Sequence, residues 1–155
     1  MSVRVLGIDL GARRVGLALS DPSATIATPH SVLARSGDRR AEHQRIREFV
    51  ADHGVERVVV GLPLSMDGSM GVAAKQAVRE ARALADVLDV PVETYDERLT
   101  TVTAGRILTE NRVPGRSRRG VVDKVAAAVM LQAWLDGQSP RHPVEGGQQD
   151  EECRS

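Results

Sequence analysis

The sequence predicts an α/β domain: a mixed five-stranded sheet, made of an antiparallel meander followed by parallel strands, with helices on both faces. Three observations lead there. Short aliphatic, β-branched runs such as 3–8 (VRVLGI) and 56–61 (ERVVVG) are bounded by glycine and polar residues, as buried strands are. From residue 39 onward, such runs alternate with segments whose apolar residues recur at helical spacing. A length of 155 residues suits one domain with a real core and is too short for two.

The elements follow in order. Residues 3–8 form the first strand and 14–20 (RVGLALS) the second, joined tightly through glycine, and a third strand lies within 25–34. Residues 39–53 form a helix with Ile46, Phe49 and Val50 on one face. The continuous apolar run 56–61 is a strand buried on both faces. The loop GLPLSMDGSMG follows, and Ser69 is a candidate cap for a helix running to about residue 89, with Ala73, Ala77, Ala81, Leu84 and Leu88 along its buried stripe. Residues 91–96 (PVETYD) form a short strand, and Thr100 or Thr101 caps a helix ending near Asn111. A basic loop, 112–118, leads to a last helix, 119–137, whose stripe includes Val122, Val125, Ala126, Val129, Met130, Ala133 and Trp134. Residues 1–137 form the domain, and 138–155 are expected to be a disordered acidic tail rich in Pro, Gly and Gln.

Composition narrows the function. At 41% hydrophobic and 27% charged residues the chain is of ordinary globular type, and it has neither an apolar run of membrane-spanning length nor a leader-like start. Cys153 is the single cysteine, which excludes a disulfide framework and fits a cytoplasmic location. The formal net charge of zero hides a basic segment, with Arg112, Arg116, Arg118, Arg119 and Lys124 against Asp123. Phe49, Tyr95 and Trp134 are the only Phe, Tyr or Trp residues, too few for a binder that stacks bases on exposed rings. His30, His43, His53 and His142 have no zinc-like spacing, and no Ser–His–Asp or Cys–His arrangement is evident.

Carboxylates carry the chemistry. Asp9 (GIDLG) ends the first strand, at the sheet edge where open α/β sheets bind ligands, although Asp also begins turns. Glu97 and its neighbour Asp96 (YDERLTT) follow the strand at 91–96. Their side chains point to opposite sides of an extended segment, so one of the two faces the edge, or both are solvated acids before a helix. Asp123 shares a face of the last helix with Ala126, Ala127, Met130 and Trp134, towards the sheet, where a carboxylate needs a metal, a salt bridge or the helix dipole. Three such acids converging at one edge suit Mg²⁺ or Mn²⁺ and two-ion phosphodiester hydrolysis. Arg13 and Arg14, with the arginines at 112–119, are candidates to hold phosphates without reading sequence, or are solvated surface. The glycines of loop 61–71 offer an anion site, but the loop lacks the GxxxxGK[ST] pattern of a nucleotide P-loop.

The element order is that of ribonuclease-H-like domains, and it also opens actin-like ATPase domains. Four stretches carry a closer resemblance: GIDLGARRVGLALSD at 7–21, GLPLSMDGSMG at 61–71, DERLTT at 96–101 and VVDKVAAAVMLQAWL at 121–135. In that order, and over residues 3–137, the sequence resembles the YqgF/RuvX family, described as pre-16S rRNA nucleases and as Holliday junction resolvases. The resemblance implies a ribonuclease-H-like fold and divalent-metal hydrolysis, with Asp9, Glu97 and Asp123 as the catalytic and metal-binding triad, which favours Glu97 over Asp96. It implies processing of the 5′ end of the 16S rRNA precursor, with RNA, free or in a ribosomal particle, as partner. The alternatives are a two-fold dimer that resolves four-way DNA junctions, an ATP-binding protein of the actin-like class, and a non-catalytic assembly factor. The sequence is compatible with a monomer or a homodimer and gives no membrane association.

Overall fold

The computed structural model describes residues 3–64, 67–97 and 115–138, with the backbone alone for 115–123. Five strands, β1 (Arg4–Leu10), β2 (Arg14–Ser20), β3 (Ala27–Ala34), β4 (Val55–Leu62) and β5 (Val92–Asp96), form one sheet in the order β3-β2-β1-β4-β5. β1, β2 and β3 pair antiparallel, whereas β4 runs parallel to β1 and β5 parallel to β4. The described helices are α1 (Arg39–His53), α2 (Val72–Val87) and α3 (Gly115–Gln138).

Strand alternation divides the core into two layers. Leu6, Ile8, Leu17, Val58 and Val60 face α1 and α2, where they meet Ile46, Val50, Ala81 and Leu84. Val5, Ala18 and Val59 face α3, where they meet Ala127, Met130, Leu131 and Trp134. Gly7 lies in the second row, and a Cβ there would stand 2.8 Å from Leu131 Cβ and 3.2 Å from the Ala127 carbonyl. The bare glycine is what lets α3 lie directly on β1.

Four expectations need correcting. Asp9 lies within β1, which continues to Leu10, because the pairing of Asp9 with Gly16 and of Leu10 with Val15 extends the hairpin. α2 begins after Gly71 with no side-chain cap, while the Ser69 amide bonds Asp67 Oδ1 at 2.9 Å inside the loop. Its buried stripe starts at Ala74, and Ala73 is exposed on the first turn. α3 starts at Gly115, inside the segment read as a basic loop. Arg116, Arg118 and Arg119 are good helix formers. The expected helix ending near Asn111 and the tail from 139 onward lie outside the described residues.

Candidate active site

The rows facing α3 run Val5, Gly7, Asp9 on β1; Arg57, Val59, Gly61 on β4; and Glu93, Tyr95 on β5, followed by Glu97. Register aligns them. Gly7 sits beside Val59 and Gly61 beside Tyr95, so the next row along the parallel strands brings Asp9 level with Gly61. Gly61 is the gap across which the two acids meet. A Cβ at Gly61 would overlap the Glu97 carboxylate, so Glu97 lies over the backbone of β4 and forms a side-chain hydrogen bond with Asp9.

The electrostatics follow from that approach. Burial, then the charge of Asp9 and the hydrogen bond with it, then Asp96, push the Glu97 carboxyl up from 4.5 to about 8. Near neutral pH the pair therefore retains a proton between the two carboxyls. Two acids this close need a proton or a cation between them, and hard cations take carboxylate oxygens. Asp9 and Glu97 fit that requirement. No group of three metal-binding side chains forms among the described residues.

Asp123 is placed by its backbone. α3 runs antiparallel to β1, with Leu135 beside Val5, and Leu131 and Ala127 over Gly7. Position 123 precedes Ala127 by one turn on the same helix face, and one turn advances about 5.4 Å in the direction of Asp9. Its side chain, like those of Arg116, Arg118 and Arg119 near the start of α3, lies outside the described residues. Arg13 is exposed at the β1–β2 turn, and Arg14, at the start of β2, is half-buried.

Sequence reasoning missed a buried ionic hub behind this edge. The Arg35 Nε donates to the Gly11 carbonyl at 3.1 Å, Nη1 to Glu42 Oε1 and Glu80 Oε2 at 2.8 Å each, and Nη2 to Glu80 Oε1 at 3.1 Å. The Arg35 amide also bonds the Arg13 carbonyl at 2.9 Å. One guanidinium thus ties the turn beyond Asp9 to both α1 and α2. His43 Nε2 lies 2.9 Å from Glu80 Oε2, and Arg39 Nη1 3.0 Å from Glu42 Oε1. The available signal was Glu80, a charged residue inside the stripe of Ala77, Ala81 and Leu84.

Burial alone would raise the Glu42 carboxyl, but the bonds from Arg35, the Ser36 amide and Arg39 outweigh it and lower the group from 4.5 to about 2. A carboxyl lowered on folding stabilises the fold above 4.5 and loses that contribution as pH falls towards 2. Glu42→Gln should therefore flatten the acid side of the stability profile. Urea midpoints measured from pH 6 to pH 2.5 should fall less steeply for the variant than for the wild type.

Similarity to known proteins is extensive. The family model described as "RuvX: Holliday junction resolvase" matches residues 3–137. A relative from Pelotomaculum thermopropionicum, provisionally named a pre-16S rRNA nuclease, is 43% identical over 145 residues, covering 94% of each chain. A protein of the same name from Syntrophomonas wolfei is 42% identical and covers 88% of this chain and 96% of its own. Another, from Mycobacterium leprae, is 47% identical and covers 86% of this chain and 72% of its own. Among solved structures, Thermus thermophilus RuvC in complex with Holliday junction substrate superposes with a TM-score of 0.60 at 18% identity, covering 88% of this chain and 97% of that one. That likeness establishes the RuvC-like, ribonuclease-H-like fold.

Proposed function

The chain belongs to the RuvX family, and on that premise we propose that it is a cytoplasmic, divalent-metal-dependent nuclease that hydrolyses phosphodiester bonds in structured nucleic acid, its substrate being the 5′ region of the 16S rRNA precursor. The observation that carries this reading is the meeting of Asp9 and Glu97 over Gly61, at the carboxyl edge of the parallel strands.

Asp9, Glu97 and Asp123 are the residues that would hold Mg²⁺ or Mn²⁺. Bound there, the cation would supply positive charge for the attacking and leaving oxygens of the phosphodiester. The protein supplies the rest. Asp9 holds an anionic carboxylate fixed on a central strand. Glu97, buried beside it, would give up its proton where a cation is held. Arg13, exposed at the β1–β2 turn, and Arg14, with Arg116, Arg118 and Arg119 at the start of α3, hold the flanking phosphates without reading bases.

A proton count tests the exchange. Because the Glu97 carboxyl is raised to about 8, binding at pH 7 must displace its proton. Calorimetric Mn²⁺ titrations in two buffers of different ionisation heat should report release of about one proton per site at pH 7, and affinity should climb as pH rises towards 8.

The activity is tested by incubating the protein with precursor 16S rRNA, free and in ribosomal particles, with Mg²⁺ and with a chelator. The expected result is cleavage at the 5′ end with Mg²⁺ only. Equal cleavage in chelator, or none in either form, contradicts the reading. The family description favours one further substrate, the four-way DNA junction. A junction resolvase cuts two strands symmetrically as a two-fold dimer, so mass in solution and junction cleavage separate the two.

A further inference from the structure

The outer surface of α1 and α2, on the face of the sheet away from α3, carries a concentration of positive charge. Arg39, Arg40 and Arg47 on α1, and Lys75, Arg79 and Arg82 on α2, are all exposed. Helical spacing arranges them. Positions 39, 43 and 47 form the ridge of α1 towards α2, with Arg40 beside it, and 75, 79 and 82 form the outer crest of α2. Between the helices lies a groove of about 300 Å³, lined by Arg39, His43, Gln76, Arg79, Glu80 and Ala83.

The acids of these helices do not cancel the patch. Glu42 and Glu80 are buried and bonded to Arg35. Glu48 and Asp52 follow Arg45 round the other flank of α1. Asp86 alone shares the crest of α2. Arg39 pairs with Glu42 and Glu80, but Arg40, Arg47, Lys75, Arg79 and Arg82 are not ion-paired to any described acid. In a chain of net charge zero, such a patch is a local excess.

Its position ties it to the candidate active site. Both helices begin at the edge where Asp9 emerges, and Arg39, Ala73 and Gln76 share a small recess with Gly11 and Ala12 of the β1–β2 turn. From there the patch runs down the outer face, and Lys75 to Arg82 spans about 10 Å at the helical rise. No Phe, Tyr or Trp lines the groove, so it offers charge without a stacking platform.

We propose that this α1–α2 surface holds a stretch of sugar-phosphate backbone of the substrate away from the cut, on the opposite side of the sheet from the start of α3. The inference rests on the nuclease reading for its substrate class and extends the contacts to a second face. A structured RNA that reaches both faces is gripped on either side of the scissile bond, and a short one is gripped on one side only.

The test is the double variant Arg40→Gln/Arg79→Gln, at exposed positions outside the catalytic cluster. Binding of a folded precursor rRNA fragment is measured in chelator over a salt series. The expected affinity loss is about tenfold or more at 0.1 M salt, with the slope of log K against log salt shallower by about 1.5–2. kcat on a short oligonucleotide that reaches only the active-site edge should be unchanged. An unaltered salt slope and affinity overturn the inference. So does a variant that binds naked RNA normally and loses only association with particles, which makes the surface a protein contact. A wild type that binds with the predicted slope yet cleaves nothing counts against the nuclease reading and leaves the surface standing.

Discussion

Asp9→Asn should lower kcat on precursor rRNA by about a thousandfold or more while RNA affinity stays within about threefold. The substitution keeps shape and hydrogen-bonding capacity but removes the fixed negative charge at the centre of the site. Glu97→Gln should do the same, because the Gln amide can still donate to Asp9 as the protonated Glu97 does. Neither loss should reflect unfolding. In the metal-free protein the Glu97 carboxyl is raised from 4.5 to about 8, so the folded state holds a proton that the unfolded state releases across that range. The pair's contribution to stability therefore falls as pH rises from 4.5 towards 8; Glu97→Gln removes that penalty, and Asp9→Asn removes the part due to the Asp9 charge. Melting temperatures at pH 8 without metal should match or exceed wild type. Single-turnover cleavage and filter binding on the same preparations check the rate and the affinity. Wild-type cleavage by either variant rules out the assigned roles.

Gly61→Ala should reduce kcat by about a hundredfold, the scale of effect expected when a catalytic group moves by about 1 Å. The added methyl takes the space of the Glu97 carboxylate, which must then swing away from Asp9. Stability should change little, because alanine in a strand offsets some strain by lowering the entropy of the unfolded chain. Two readouts separate this from a folding defect. The urea midpoint should stay near wild type, and Mn²⁺ affinity should fall together with kcat. A Gly61→Ala protein with normal metal affinity and rate would show that Glu97 does not act from above β4.

The contrast between Gly61 and the strands shows what could be read from sequence. The five strands were legible because continuous apolar runs such as 56–61 can bury both faces only inside a sheet, and the observed β4, Val55–Leu62, differs by one residue at each end. α1 matches the expected 39–53, read from Ile46, Phe49 and Val50 on one face, and the structure adds an Asp38 cap and a left-handed Gly54 at its ends. The place of Asp9 at the carboxyl end of a strand followed from the buried run before it. Gly61 did not, because its importance depends on the register of three strands, which no local pattern specifies. The Arg35 hub was hidden for the same reason, since residues 35, 42 and 80 are brought together only by packing. The choice of Glu97 over Asp96 came from family resemblance, since strand alternation alone leaves the two equivalent. Ser69 failed as a cap because the helix starts further along the chain, with Gly71 at the cap position.

On this reading, acids from β1, from the end of β5 and from α3 bind divalent cations at one edge of the sheet. Anomalous diffraction from a crystal soaked in Mn²⁺ measures this directly. A peak roughly 2 Å from carboxylate oxygens of Asp9, Glu97 and Asp123 is the predicted result. A map with no peak at that edge, or with Asp123 directed away from Asp9 and Glu97, contradicts it.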